Sequence, residues 1–290
     1  YPFNYARYKN LPNGSPPSLE MSNIVARTPY PTMSRYAIQI QTNANIWYDS
    51  LQLSSNLRRG GLTSRFSYVF ARDRGHGGSS GQSGSEDPSS FTTQTNNPSD
   101  AKDEIGPRSR RHTFRLFSIY ELPFLRANKG LLGRLLGGWQ ASGYLQILSG
   151  DPMDLILGYD ANFDAITNTP RDRPDLASPI RYTGGSTEQQ MQQYFNPASF
   201  VKPVITANHL FGNLPYNAIW GPGRWSSDMA LLKNFRLSER MRFQIRAEAY
   251  NFSNHPNLGN PGTTMSGSDF TKILTLSGNR TMQFGLKFSF

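Results

Sequence analysis

The last eleven residues, 280–290, place Met282, Phe284, Leu286, Phe288 and Phe290 on one face and Thr281, Gln283, Gly285, Lys287 and Ser289 on the other. Only an extended strand separates these two sets, because at 3.6 residues per turn a helix would mix them around its axis. One side of the strand is apolar and the other is wet. In a soluble sandwich the apolar side meets a second sheet; in an outer-membrane barrel it meets lipid while the polar side lines the lumen.

The same alternation recurs along the chain, and its length bears on the choice. Residues 47–57 and 62–71 alternate on either side of Arg58-Arg59-Gly60 and read as a tight hairpin. Further alternating segments cover 112–122, 139–147, 226–235 and 241–250. Along 112–122 both faces carry apolar residues, which leaves the lipid-facing side of that strand open. Along 241–250 the separation is complete: Met241, Phe243, Ile245, Ala247 and Ala249 oppose Arg242, Gln244, Arg246, Glu248 and Tyr250. Three charges on one face need water or paired charge, not a packed core. Segments of about 10–13 residues match the 9–11 that cross a bilayer obliquely and exceed the usual 5–6 of globular strands.

Composition is compatible with that reading. The chain is 37% hydrophobic with a mean hydropathy of −0.55, and no apolar run of roughly 18 residues exists to span a bilayer as a helix. A barrel tolerates such polarity, since only alternate strand residues face lipid and its long loops are wet. There is no cysteine, so neither a disulfide framework nor a thiolate metal site is available. The net charge is +10, dispersed apart from the cluster Arg108, Arg110, Arg111 and His112, and no nucleic-acid motif accompanies it. We read it as solvated loop and lumen charge, with binding of anionic lipid headgroups or of an anionic ligand as the lesser alternative, and expect no nucleic-acid partner. Residue 1 is Tyr, which suggests a piece of a longer or processed polypeptide.

Between the strands lie two long irregular segments. Residues 72–108 are nearly devoid of aliphatic side chains and read as one long loop. Residues 151–222 read as a second large loop with a helical possibility near Glu188 to Tyr194. The glycine- and leucine-rich stretch within 125–137 reads as a short amphipathic turn.

Asn251-Phe252-Ser253-Asn254-His255-Pro256-Asn257, following Arg246-Ala247-Glu248-Ala249-Tyr250, resembles a stretch near the carboxy-terminus of TonB-dependent outer-membrane receptors of the class with an amino-terminal carboxypeptidase-regulatory-like domain. Gly221-Pro222-Gly223-Arg224-Trp225, Asp228 and Lys233-Asn234-Phe235 are similar to another element of that class. So are Tyr120-Glu121-Leu122-Pro123-Phe124, Leu135-Leu136-Gly137-Gly138-Trp139-Gln140, Arg173-Pro174-Asp175 and Phe195-Asn196-Pro197-Ala198-Ser199-Phe200, in the same order. Phe252-Ser253 departs from the usual Leu-Phe, and 72–108 carries no family motif.

The resemblance implies an all-β fold: an antiparallel transmembrane β-barrel, of which residues 1–290 supply the carboxy-terminal portion of roughly 22 strands, about 8–10 of them here. The plug domain, coupling box and signal peptide are expected upstream of this chain. It further implies energy-coupled uptake of an unknown small solute, with the TonB complex engaged through the amino-terminal part. Outer-membrane lipid and lipopolysaccharide would surround the barrel. Phe284, Leu286, Phe288 and Phe290 are similar to the signal read by the barrel-assembly machinery. With the final residue on the periplasmic side, 72–108 and Ser277-Gly278-Asn279 should lie outside, and Arg58-Arg59-Gly60 and 123–137 inside. If 225–237 runs outward, parity requires an odd number of strands between 151 and 224, and we expect one.

Arg65, Arg115, Arg242, Arg246, Glu248 and Lys287 are the candidate lumen-facing residues. Trp47, Tyr48, Trp139 and Trp225, at strand ends, are candidates for an interfacial aromatic girdle. No catalytic motif is present; His76, His112, His209 and His255 are scattered, and no enzymatic activity or cofactor is expected. Asp160, Asp164, Asp172 and Asp175 fit no standard calcium loop, so no metal is expected. The rival readings are an outer-membrane binding, adhesion or assembly component without import and, further off, a soluble carbohydrate-binding β-sandwich.

Overall fold

A computed structural model describes residues 24–33, 46–76, 105–123, 130, 133, 137–161, 172–206, 209, 211–236 and 241–290. Its strands are β1 (Ile46–Arg59), β2 (Leu62–His76), β3 (Ile105–Pro107), β4 (His112–Glu121), β5 (Trp139–Leu148), β6 (Pro152–Met153), β7 (Asp175–Leu176), β8 (Phe200–Val201), β9 (Ile219–Trp220), β10 (Arg224–Arg236), β11 (Arg242–Tyr250), β12 (Asn257–Leu258), β13 (Leu276–Ser277) and β14 (Thr281–Ser289). Two short helices accompany them, α1 (Ile24–Arg27) and α2 (Thr187–Gln192).

Eight strands form one antiparallel sheet in the order β1-β2-β4-β5-β10-β11-β14, with β3 added to β2. Each strand pairs with its neighbour along the chain once the short strands are set aside, which is the meander of an up-and-down barrel. The sheet is not closed. Among the described residues its edge strands β1 and β14 pair on one side only, so the architecture is a partial barrel.

Pairing register carries one face across the whole sheet, because residues directly opposite on antiparallel strands point the same way. Phe284 faces Ala247, Ala247 faces Leu231, Leu231 faces Ala141, Ala141 faces Tyr120 and Tyr120 faces Leu62. Leu53, Tyr68, Phe114, Ile147 and Trp225 lie on the same face a few residues along. The side of β4 left open by its sequence is thereby settled: Phe114, Leu116 and Tyr120 join the apolar face, whereas Phe117 and Ile119 join the polar one.

Short connections gather at one end of the sheet. Gly60 and Gly61 make the β1–β2 turn with φ of 57° and 87°, the left-handed pair that a two-residue hairpin turn demands. The expected breakers Arg58 and Arg59 belong to β1 itself. The other connections at this end are 122–138 and 237–240; the Leu237-Ser238-Glu239-Arg240 turn and most of the expected amphipathic turn fall outside the described residues.

The opposite end carries the long connections 77–111, 149–223 and 251–280, and here the sequence expectation needs correction. The second of these is not a loose loop holding an extra barrel strand. β10 pairs directly with β5, so no strand is inserted between them, and if β14 runs inward β10 runs inward too, not outward. The described residues of 149–223 instead fold together with 251–280 into a cap. Leu155, Tyr194, Phe195, Phe200, Leu214, Ile219 and Ile273 form its core, with Leu258, Met265 and Phe270 packed against them. Main-chain bonds knit the two segments: Ile156 N–H donates to Thr263 O (3.0 Å), Met265 N–H to Ile156 O (2.8 Å) and Tyr194 N–H to Thr271 O (2.7 Å). α2 falls where a helix was anticipated, and Ser186 starts it with a capping box to Gln189.

The loop expected over 72–108 is also shorter. β2 runs on to His76 and pairs with β3. The residues that follow dock on the cap: Asn217 donates to the Pro107 carbonyl at 2.8 Å, and Arg110 reaches the Ser149 carbonyl at 3.0 Å and the Asp151 carboxylate.

Candidate functional site

All six sequence-selected charged residues fall on one face of the sheet. Arg65 lies opposite Phe117, Arg115 opposite Gln146, Lys287 opposite Gln244 and Glu248 opposite Gln283, with Arg242 and Arg246 alternating into the same set. They do not form one cluster. Arg246 and Glu248 are ion-paired to each other, and Glu248 also accepts from Gln283. Arg242 and Lys287 sit at the short-connection end, where Arg242 lies opposite Arg236. Arg65 and Arg115 lie on β2 and β4, diagonal to one another across the pair.

A hollow of about 100 Å³ opens on this polar face, just below the cap. Phe117, Ser142, Tyr144, Asp228, Glu248 and Tyr250 line it, from four consecutive strands. Five of these six were not singled out in the sequence as site residues; Tyr144 alternates with Gln140, Ser142 and Gln146, whereas Phe117 lies on a strand apolar on both sides, and only its register with Tyr144 places it on the polar face. Asp228 accepts the Asn251 N–H at 2.8 Å, and the Gln283 amide donates to the Tyr250 hydroxyl at 3.2 Å.

Several of the recurrent motifs are the joints between wall and cap. Asn257 both accepts from the Trp225 N–H (2.8 Å) and donates to the Trp225 carbonyl (2.9 Å), while the Trp225 ring stacks on His255 at 4.4 Å. Asn251 takes a positive φ of 46° and its amide donates to the carbonyls of His255 and Gly278. This ties the cap ends of β10, β11 and β14 together. Phe195-Asn196-Pro197-Ala198-Ser199-Phe200 supplies two core rings, 5.7 Å apart and edge to face, across a 3-10 turn capped by Asn196. Arg173 is fully buried, donating to the Leu214 carbonyl at 2.9 Å with its guanidinium over Tyr216. At the opposite end Lys233, on the apolar face, donates to the Gly137 carbonyl and lies against Trp139 and Phe235.

The remaining candidates fall as follows. Trp47 and Trp225 mark the cap end of the apolar face and Trp139 its short-connection end; Tyr48, the neighbour of Trp47, points to the polar face. Phe284, Leu286 and Phe288 line the apolar face of β14, continued by Phe290, and are exposed. The basic cluster is turned toward the cap, with Arg111 over Trp220 at 4.6 Å in addition to the Arg110 contacts. Asp172 accepts from the Ala161 N–H, and Asp175 from His209 and the Asn213 N–H; Asp164 lies outside the described residues. Burial, and then the neighbouring Tyr182, push the Tyr194 phenol up to about 12.

The model of a family described as an outer membrane beta barrel domain matches residues 2–283. Searches of the curated proteins and of the solved structures give no match. A match over nearly the whole length agrees with the meander, the two-faced register and the long connections at one end, and it locates the protein in the outer membrane: the chain belongs to the outer membrane beta barrel domain family.

Proposed function

We propose that this chain is the carboxy-terminal wall of a TonB-dependent receptor that takes up a scarce solute across the outer membrane, and that it acts without catalysis. The observation that carries the reading is the shared face of Arg65, Arg115, Arg242, Arg246, Glu248 and Lys287, opposite a continuous apolar face. Charges in that number are tolerated at bilayer depth only toward water or protein. The polar face then lines a lumen wide enough for an upstream plug, and the apolar face meets lipid. The cap end is extracellular, where barrels of this kind carry their long connections.

The motif resemblance across residues 120–257 supports the receptor class, and with it an energy-coupling partner engaged by the upstream plug. Phe284, Leu286, Phe288 and Phe290 are the residues we assign to recognition by the barrel-assembly machinery. The test is genetic. Deletion of the full-length gene and deletion of the coupling protein should produce the same growth defect on a limiting nutrient, without an additive effect. A defect that persists with full severity when coupling is already abolished would replace uptake by a surface-binding role.

A further inference from the structure

The hollow on the polar face holds a combination of groups that a water-filled wall does not need. Phe117 and Tyr250 are 43% and 46% exposed, on the face that also carries the six charged residues. Tyr144 lies between them, opposite both Phe117 and Asp228, and its hydroxyl has no hydrogen-bond partner among the described residues. Three rings thus share one hollow in the wall with two carboxylates, Tyr250 standing at the cap end of β11.

We propose that this hollow binds a neutral polyhydroxylated ligand, an oligosaccharide, at the mouth of the lumen. Aromatic rings offer flat apolar faces to the C–H faces of a sugar, and phenol and carboxylate oxygens accept and share its hydroxyl hydrogens. Charge selects among ligands. Glu248 is already paired with Arg246, and Arg65 lies in the same cross-strand row as Phe117, Tyr144 and Asp228. The two carboxylates are therefore matched by Arg246 and Arg65, with Arg115 diagonal to Arg65 on the same face. A cationic ligand finds no net negative field to attract it, and an anionic one meets Asp228 and Glu248 within the hollow itself. The rest of the row is already anchored: Asp228 is fixed by the Asn251 N–H and Tyr250 by Gln283, so the rings stand ready without reordering on binding.

The inference rests on the uptake reading for its place in a passage, but binding is separable from uptake. The experiment is calorimetry on the full-length receptor in detergent micelles, titrated with maltoheptaose, xylohexaose and cellohexaose, and with a chitosan hexamer as the cationic arm. At least one neutral oligosaccharide should bind. Phe117→Ala and Tyr144→Ala should each weaken that binding tenfold or more and Tyr144→Phe about fivefold, while Leu53→Val on the opposite face leaves it unchanged. Heat-modifiable migration on gels confirms that each variant is folded. Absence of binding by all three neutral sugars, undiminished binding in both alanine variants, or preference for the chitosan hexamer would overturn the assignment. Coupling-dependent uptake of some other solute with no sugar bound would remove this site and keep the receptor; sugar binding through Phe117 without coupling-dependent growth would do the reverse.

Discussion

The wall and the cap bury apolar surface against different partners. Fully buried hydrophobic side chains lie almost entirely in the cap, including Leu155, Phe195, Leu214 and Ile219, each with no exposure. Among the described residues of the long strands the buried hydrophobic ones are only Ala71 and Ala249, while Phe284 and Leu286 are 79% and 74% exposed. The cap carries its own interior and is held by packing; the wall presents its apolar half outward and depends on lipid to cover it. One chain therefore contains a region whose stability is intrinsic and a region whose stability belongs to its surroundings.

The contrast is broken most forcefully from inside the cap. Phe195→Ala removes a fully buried ring that meets Phe200, Phe270 and Tyr194, and should cost about 3–5 kcal/mol of cap stability. Hydrogen exchange should then accelerate across 149–223 and 251–280, with the gel shift of the barrel retained. Loss of both together would mean that cap and wall are one cooperative unit.

Next in size is a pair of substitutions on β11. Ile245→Arg places a charge on the apolar face and should destabilise the wall by about 2–4 kcal/mol, by an amount that depends on its depth in the bilayer. Gln244→Arg, one residue away on the polar face, should leave folding into lipid vesicles nearly unchanged. Equal effects would mean that the two faces do not see different solvents.

Alkaline pH should separate the regions more gently. Tyr194, held to about 12 by burial, keeps its proton in the folded cap after an unfolded chain has lost it. That preference adds nothing below the ordinary phenol value of 10. The folded cap therefore loses relative stability, by about 2 kcal/mol, as pH rises from 10 through 12. Near-ultraviolet circular dichroism of the cap should fade over that window, and Tyr194→Phe should shift the loss upward. The smallest effect expected is at α2: Ser186→Ala removes the capping box and should cost about 1 kcal/mol, read as faster exchange confined to 187–193.

The seven long strands were legible because an alternating pattern carries both the element and its buried side in the same residues. The hairpin over 47–71 and the strands at 242–250 and 281–289 needed nothing beyond that period, whereas the extension of β2 to His76 showed no such signal. The cap was not, for a physical reason: its core residues are spread from 153 to 273 and most sit on strands of two residues or on none. No periodicity exists over so short a run, and what holds the core is pairing between segments separated by β10 and β11. The six charged candidates were found because charge interrupts an otherwise apolar alternation. The hollow escaped, since β4 is apolar on both sides and Phe117 declares its side only through its partner Tyr144 on β5. The recurrent motifs were recognised before they could be explained. Asn251 and Asn257 prove to be clamps on Asp228 and Trp225, a role that no spacing within one segment discloses.

The interleaving of 149–223 with 251–280 also sets an order of events. Phe270 and Ile273 are made after β10 and β11, so the Phe195 core has no complete complement until both strands exist. Its two halves are separated in the chain by β10 and β11 and meet only once both segments are in place. Closure of the cap is thus a late step of biogenesis, and a protein with a finished cap already has its β10–β11 hairpin in place.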